Sequence, residues 1–190
     1  AFLAMQASLD NDFEIAEIQE IRQHVRLDYG ADVRRIASVR LAGGKLRAGD
    51  VARFEVELEP RRGKSEIREL SLRVPEDAAG ETLIFEFSGG DWATPYAPVP
   101  KDLDGLLDNV LAAYPARAIV ASIYRGSEGI ATREGLISDL PSSVLETLDA
   151  SGSSERALRF KQSARRVLSE PTIIAGTRSL ELHVAPARRP

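Results

Sequence analysis

One stretch decides the fold of this chain: GDVARFEVELEP, residues 49–60. Its apolar residues recur at every second position from Ala52 to Leu58, with charged residues between them. Successive side chains of a β-strand point to opposite faces, so this pattern predicts a strand with one face in the core and one in water. A Gly-Asp turn precedes the strand, and Pro60 ends it because proline cannot donate to a strand ladder.

The same alternation continues on both sides of this stretch, and turn residues separate the runs. Leu83, Phe85 and Phe87 form the clearest second example, which ends at Gly89 and Gly90. These two glycines end a strand instead of opening a helix, so they indicate a turn and not a phosphate-binding loop. Further strands are predicted at 21–27, 33–41, 70–74, 117–125 and 129–135, and beyond residue 153 around 158–168 and 180–184.

Within residues 101–150 the apolar period changes from two to the 3.6 of a helix. Apolar residues lie at i, i+3, i+4, i+7 and i+8 from Leu103, and either Asp102 or Asp104 is placed to cap the N-terminal end. A capping box that begins at Ser143 predicts a second, shorter helix. The middle of the chain is therefore expected to contribute two helices.

These elements predict a single domain, 1–190, of the mainly β (α+β) class. Strands before and after a helical middle favour an antiparallel β-sandwich, immunoglobulin/fibronectin-like in character, over a parallel sheet, because regular βαβ alternation is missing. The sandwich core is assigned to residues 13–90 and 153–185. A two-helix segment is expected as an insertion at about 101–150.

The composition excludes several kinds of chemistry. The 190 residues contain no cysteine, which rules out a disulfide scaffold, a thiol nucleophile, a thiolate zinc site and an iron–sulfur cluster. The net charge of −4 argues against a nucleic-acid partner, because such proteins usually carry a basic footprint. No apolar run approaches the roughly 20 residues of a membrane-spanning helix, so no membrane span is predicted.

No set of acid, base and nucleophile stands out, so no catalytic residue, metal site or cofactor is predicted. His24 and His183 are the only histidines, and both fall among the outward-facing residues of their predicted strands. Nothing places them together, which favours surface histidines over a shared metal site. Asp10 and Asp12 flank Asn11 as in a calcium loop, but the required glycine and distant glutamate are missing, so a turn is favoured.

The segment 92–100 interleaves Trp92 and Tyr96 with three prolines, which predicts an extended connector between the strands and the first helix. Aromatic faces on rigid backbone form binding platforms for a sugar ring or a peptide. Trp92 and Tyr96 are therefore the candidate ligand-binding residues. The competing interpretation is that both rings plug the open end of the sandwich, and it is preferred because a lone tryptophan usually packs.

An ordered pattern of strand and turn residues runs through the chain. It comprises LDNDF at 9–13, LRAGDV at 46–51, LEPRRG at 58–63, LRVP at 72–75 followed by Gly80, LPSSV at 140–144, and IAG at 174–176 before LEL at 180–182. This pattern resembles the region downstream of the catalytic domain in bacterial proteins related to the stage IV sporulation protein B serine peptidases. The resemblance spans nearly the whole chain and consists of strand and turn residues, not of catalytic motifs.

One departure from that family decides what the resemblance carries over. The family's nucleophilic serine lies in a Gly-Met-Ser-Gly-Ser-Pro segment, whereas the only methionine here is Met5, which Gln6 follows. No catalytic residue is transferred. The resemblance instead implies an accessory part of a larger exported bacterial protein, periplasmic or extracellular, and the start at Ala1 fits an excised piece.

Three functions are weighed on this basis. The leading hypothesis is a non-catalytic structural or protein-interaction module that binds other domains of the same protein, or a cell-envelope protein, through sheet edges or the connector. The rival is a carbohydrate-binding module that uses Trp92 and Tyr96. An enzyme in its own right comes third, because no catalytic constellation is visible.

Overall fold

The chain is mainly β in the computed structural model, which describes residues 2–15, 17–25, 32–93, 95, 97–131, 134, 136–141, 143–144, 146–147 and 158–186. No helix within these ranges has both the length and the apolarity needed to cross a membrane. The helices are α1 (Phe2–Leu9) and α2 (Leu103–Leu111). The strands are β1 (Val33–Leu41), β2 (Val51–Pro60), β3 (Glu66–Arg73), β4 (Thr82–Gly89), β5 (Ala118–Ala131), β6 (Leu136–Leu140), β7 (Leu158–Ser169), β8 (Ile173–Ala175) and β9 (Thr177–His183).

The strands form two sheets. The first has the order β3-β2-β1-β8, in which β8 pairs parallel with β1 and the other pairs are antiparallel. The second is antiparallel: β4 lies between β9 and β5, β7 pairs along most of β5, and β6 pairs with the C-terminal end of β5. The prediction of a mainly β chain is confirmed, whereas the immunoglobulin/fibronectin-like character stays a prediction.

One hydrophobic core joins the two sheets. Ala52, Phe54, Val56 and Leu58 of β2 are buried as the alternation predicts, and Phe54 is fully buried. The ring centroid of Phe54 lies 4.9 Å from that of Phe85 and 5.0 Å from that of Phe87, both on β4 of the other sheet. Aromatic rings at these separations pack favourably in addition to the area they bury. Phe54 therefore links the two sheets at the centre of the molecule.

The predicted strand at 21–27 is wrong over its described part, because residues 17–25 are exposed and form no strand. The first strand is β1, which begins at Val33 and not near residue 13. At its start β1 already pairs with β2 on one edge and with β8 on the other. Alternation alone does not make a strand, because a strand also needs a neighbouring strand to pair with. The N-terminal residues instead include α1, which packs against α2.

The segment 101–150 contains helical parts and the strands β5 and β6. Its first predicted helix is present as α2, and the Asp102 carboxylate caps it by accepting from the Gly105 N–H at 2.8 Å. The described residues 143–144 and 146–147 are helical, as the capping box predicts. Between these helical parts, however, β5 runs through the middle of the second sheet. Its residues 118–121 are all buried, because both faces of the strand are covered.

Arginines bridge the two sheets at both of their sides. On one side Arg166 of β7 donates to the Ser71 carbonyl of β3 at 2.8 Å. On the other, Arg178 of β9 donates to the carbonyl of Ala37 at 3.0 Å, at the point where the pairing of β1 with β2 shifts register. Charged side chains at an edge oppose further strand pairing. These two arginines therefore make it harder for an additional strand to pair at either side of the sheets.

Candidate binding groove

A groove of about 510 Å³ lies at one end of the first sheet, and Trp92 forms one of its walls. This volume falls within the roughly 300–1,000 Å³ of typical ligand pockets. Hereafter it is called the Trp92 groove. It is lined by the start of β1, the end of β2 with its following turn, the end of β8 and the tryptophan: Val33, Arg35, Glu59, Pro60, Arg61, Ala175, Gly176 and Trp92.

The interpretation of Trp92 as a plug in the open end of the sandwich is wrong. Trp92 is 63% exposed and ends a short 3₁₀ turn (Gly90–Trp92) that follows β4. Tyr96, the second candidate ligand-binding residue, lies outside the described residues.

Two glycines hold Trp92 in position. A Cβ atom on Gly89 would lie 2.0 Å from the Ile174 carbonyl oxygen of β8, and one on Gly90 would lie 1.9 Å from the Pro115 carbonyl oxygen. Only glycine permits such an approach between backbones. The Gly89 N–H also donates to the Gly176 carbonyl at 3.0 Å. The turn that carries Trp92 is thus pressed against the end of β8, which lines the same groove.

We expect Gly89→Ala to lower the free energy of unfolding by about 2–3 kcal/mol. The added methyl group would clash with the Ile174 backbone, which can relieve the clash only by shifting β8. It should also shift the fluorescence of Trp92, the only tryptophan in the chain. The matched control is Gly44→Ala, since no atom lies within 4 Å of a Cβ at Gly44. Urea denaturation and emission spectra check both; equal behaviour of the two variants would contradict the close approach.

Two charged groups of the groove form an ion pair with each other, and a third, Arg61, does not. The Arg35 guanidinium pairs with the Glu59 carboxylate at 2.6 Å across β1 and β2. Arg61 is exposed, and within the described part of the chain no ion pair or hydrogen bond engages it. Arg62 and Lys64 extend this basic turn between β2 and β3. The groove therefore offers apolar walls, one internally paired carboxylate and a positive rim.

Sequence reasoning identified Trp92 but missed its neighbours in the groove. Val33, Arg35 and Ala175 are distant from it in the sequence and are brought together by the parallel pairing of β1 with β8. The one available signal was the basic turn at 61–64, which interrupts the acidic outer face of the strand before it.

An ion network supports the same strand ends from the core side of the sheet. Arg34 lies between Val33 and Arg35 on β1 and faces the opposite way, as strand alternation requires. It pairs with Glu66 of β3 at 2.5 Å, and Arg68 of β3 joins Glu66 at 2.9 Å. The hydrogen bond from Arg34 is the main reason why the pKa of the Glu66 carboxyl is lowered below its usual value.

This network reaches the second sheet. Arg68 donates to the Glu170 carboxylate at 3.2 Å, and Glu170 follows directly after β7. The Glu170 side chain is only 4% exposed. A carboxylate buried to this extent needs a partner, because desolvation otherwise penalises its charged form heavily. The network therefore joins the two sheets at the end of the core beneath the groove.

A second polar cluster lies on the second sheet, where its groups already engage one another. Arg165 donates to the Ser122 hydroxyl at 2.9 Å and to the Tyr114 hydroxyl at 2.8 Å. The Tyr124 hydroxyl donates to the Glu86 carboxylate at 3.0 Å. Burial, followed by the nearby Glu86 charge, raises the pKa of Tyr124. These contacts leave little capacity for a ligand, so the Trp92 groove is the better candidate site.

The remaining polar residues singled out in the sequence form no site. His24 and His183 are both exposed, and no cluster of three or more potential metal ligands occurs among the residues that the structure describes. The Asn11 carboxamide oxygen accepts from the N–H groups of Phe13 and Glu14, each at 2.9 Å. The turn predicted there is confirmed.

Comparison with protein-family models, curated proteins and solved structures found no match to this chain.

Proposed function

We propose that this chain is a non-catalytic protein-interaction module and that the Trp92 groove binds an extended, acidic polypeptide segment. The observation that carries the proposal is the exposed indole of Trp92 beside the free guanidinium of Arg61, in a groove with apolar walls. Tryptophan and arginine are the residues that most often dominate the energy of protein interfaces. The positive rim favours an acidic partner through charge complementarity.

The groove is a better binding surface than the sheet edges. Arg166 and Arg178 occupy main-chain carbonyls at the two sides of the sheets. An incoming strand would have to displace these hydrogen bonds before it could pair. A peptide entering the Trp92 groove displaces only water and, at most, the exposed ion pair of Arg35 with Glu59, which contributes about 0–1 kcal/mol.

The context of the module rests on the resemblance described above. We place it in a larger exported bacterial protein, in the periplasm or outside the cell, as an accessory to a serine-peptidase-like domain. Its partners are then other domains of that protein or a cell-envelope protein. A groove at the end of a sheet suits such docking, because it recognises a short segment and leaves the rest of the surface free.

A carbohydrate-binding module is the second candidate. It is favoured by the 63% exposure of Trp92, whose ring face can stack on a sugar. The paired Arg35 and Glu59 offer donors and acceptors for hydroxyl groups beside it. The positive rim formed by Arg61 and its neighbours has no role with neutral sugars, which is why an acidic polypeptide ranks first.

The test is calorimetric titration of the full chain with three probes: a synthetic peptide alternating isoleucine with glutamate, its isoleucine–lysine counterpart, and neutral oligosaccharides. We expect the acidic peptide to bind and Trp92→Ala to weaken this binding by about 30-fold, the loss typical of an interface hot spot. Arg61→Ala should also weaken binding of the acidic peptide.

Arg53→Ala is the matched control for this experiment, because Arg53 is exposed on β2 but lies at the opposite end of the strand. It should bind the acidic peptide as the unmodified chain does. Binding of oligosaccharides without either peptide would favour the second candidate. Binding of neither class, or equal binding by the Trp92→Ala variant, would refute the groove as the recognition surface.

A further inference from the structure

Residues 9–21 follow from the end of α1, and over their described part they pair with no strand. The large apolar side chains of this segment are exposed, most of all Ile15 at 96% and Ile21 at 64%. No main-chain hydrogen bond joins residues 17–25 to another segment within the described part of the chain. Exposed apolar residues that recur along one segment mark an interaction surface. The acidic segment, as residues 9–21 are called below, is thus available for docking.

The charge of the acidic segment is opposite to that of the Trp92 groove. The segment carries five acidic side chains and no basic one: Asp10, Asp12, Glu14, Glu17 and Glu20. The groove carries an unengaged Arg61, and Arg62 and Lys64 follow in the same turn. Both partners are apolar between their charges. The same chain therefore contains a ligand of the chemistry that its own groove accepts.

We propose that the Trp92 groove of one copy of this chain binds the acidic segment of a second copy. Ile15 lies against Trp92 and the apolar walls, and Glu14 and Glu17 approach the positive rim at Arg61. The inference rests on the proposed function of the groove and names its partner. Each copy has one groove and one segment, so reciprocal exchange gives a closed, two-fold symmetric dimer.

A second copy fits the structure better than the segment's own chain. None of the residues lining the groove belongs to the acidic segment, although Val33, which lines it, follows that segment in the sequence. Within one chain the described part of the segment remains exposed to solvent instead of entering the groove. Binding in trans covers its apolar side chains and the exposed face of Trp92 at the same time.

The test is the oligomeric state of the full chain, measured by analytical ultracentrifugation over a range of protein and salt concentrations. We expect a concentration-dependent dimer that weakens with added salt, because charges at the rim are screened. Arg61→Glu and Glu17→Lys should each raise the dimer dissociation constant at least about tenfold, since like charges then face each other. Mixing these two variants should restore a dimer, because reversed charges again face opposite ones.

Arg53→Glu is the control, since it makes the same charge change at the far end of β2 and should leave the dimer intact. A synthetic peptide of residues 9–21 should compete with dimer formation and shift the Trp92 fluorescence. A chain that stays monomeric at every concentration overturns the inference, and so does a dimer indifferent to Arg61→Glu. If the monomeric chain still binds the peptide, the proposed function of the groove stands while the second copy is refuted.

Discussion

Replacing Phe54 with alanine is expected to lower the free energy of unfolding by about 3–5 kcal/mol, the usual cost of truncating a buried aromatic residue. The ring is fully buried and contacts Phe85 and Phe87 across the interface between the sheets. Its removal leaves a cavity where the Phe54 ring contacts the rings of Phe85 and Phe87. Urea denaturation, followed by circular dichroism, measures the loss.

Two further variants make the Phe54 experiment decisive. Phe54→Leu keeps most of the volume and should cost clearly less than the alanine variant. Val51→Ala alters an exposed residue of the same strand and should change the free energy of unfolding by no more than about 0.5 kcal/mol. A loss below about 1 kcal/mol for Phe54→Ala would mean that the two sheets do not share the core described above.

Replacing Arg68 with methionine is expected to lower the free energy of unfolding by about 3–5 kcal/mol, because the buried carboxylate of Glu170 then loses its partner. Methionine roughly preserves the aliphatic volume of the arginine, so the loss reports the charge and not a cavity. The double variant Arg68→Met/Glu170→Met should lower the free energy of unfolding by less than Arg68→Met alone, since no buried charge remains unpaired. Denaturant unfolding at neutral pH measures both.

Arg73→Met provides the control for Arg68→Met. Arg73 lies on the same strand and pairs with Glu76, but both side chains are more than 70% exposed. Exposed ion pairs contribute about 0–1 kcal/mol, so this variant should remain close to the unmodified chain. Equal losses for Arg68→Met and Arg73→Met would show that Glu170 is not buried as described.

Much of the β-structure could be predicted because it follows from local alternation. The strands around 49–60 and 83–87 appear where the pattern places them, and their inward residues form the core. Alternation failed over the described residues 21–25, which are exposed and form no strand. The predicted strands at 117–125 and 129–135 cover most of β5, but they did not show that it is one continuous strand from Ala118 to Ala131. They also did not show that residues 118–121 are all buried, because periodicity cannot assign a strand covered on both faces to one face.

The candidate site was predictable only in part. Trp92 attracted attention as the single tryptophan, yet its predicted packing role was wrong, since the frequency with which tryptophans are buried says nothing about a particular turn. Its outward position depends on the close backbone approach at Gly89 and Gly90, which the sequence shows only as two glycines. Nothing in the sequence placed Arg35 or Arg61 beside Trp92, because their proximity depends on strand pairing between distant segments.

The order of residues alone was sufficient to establish the β-class, the inward face of each alternating strand and the absence of cysteine chemistry, because these depend on neighbours within a few positions. Which strands lie side by side, and hence which side chains share the Trp92 groove, depended on the folded chain. The parallel pairing of β8 with β1 joins residues about 140 positions apart, and the energy of such contacts lies in packing between distant segments that no local pattern encodes.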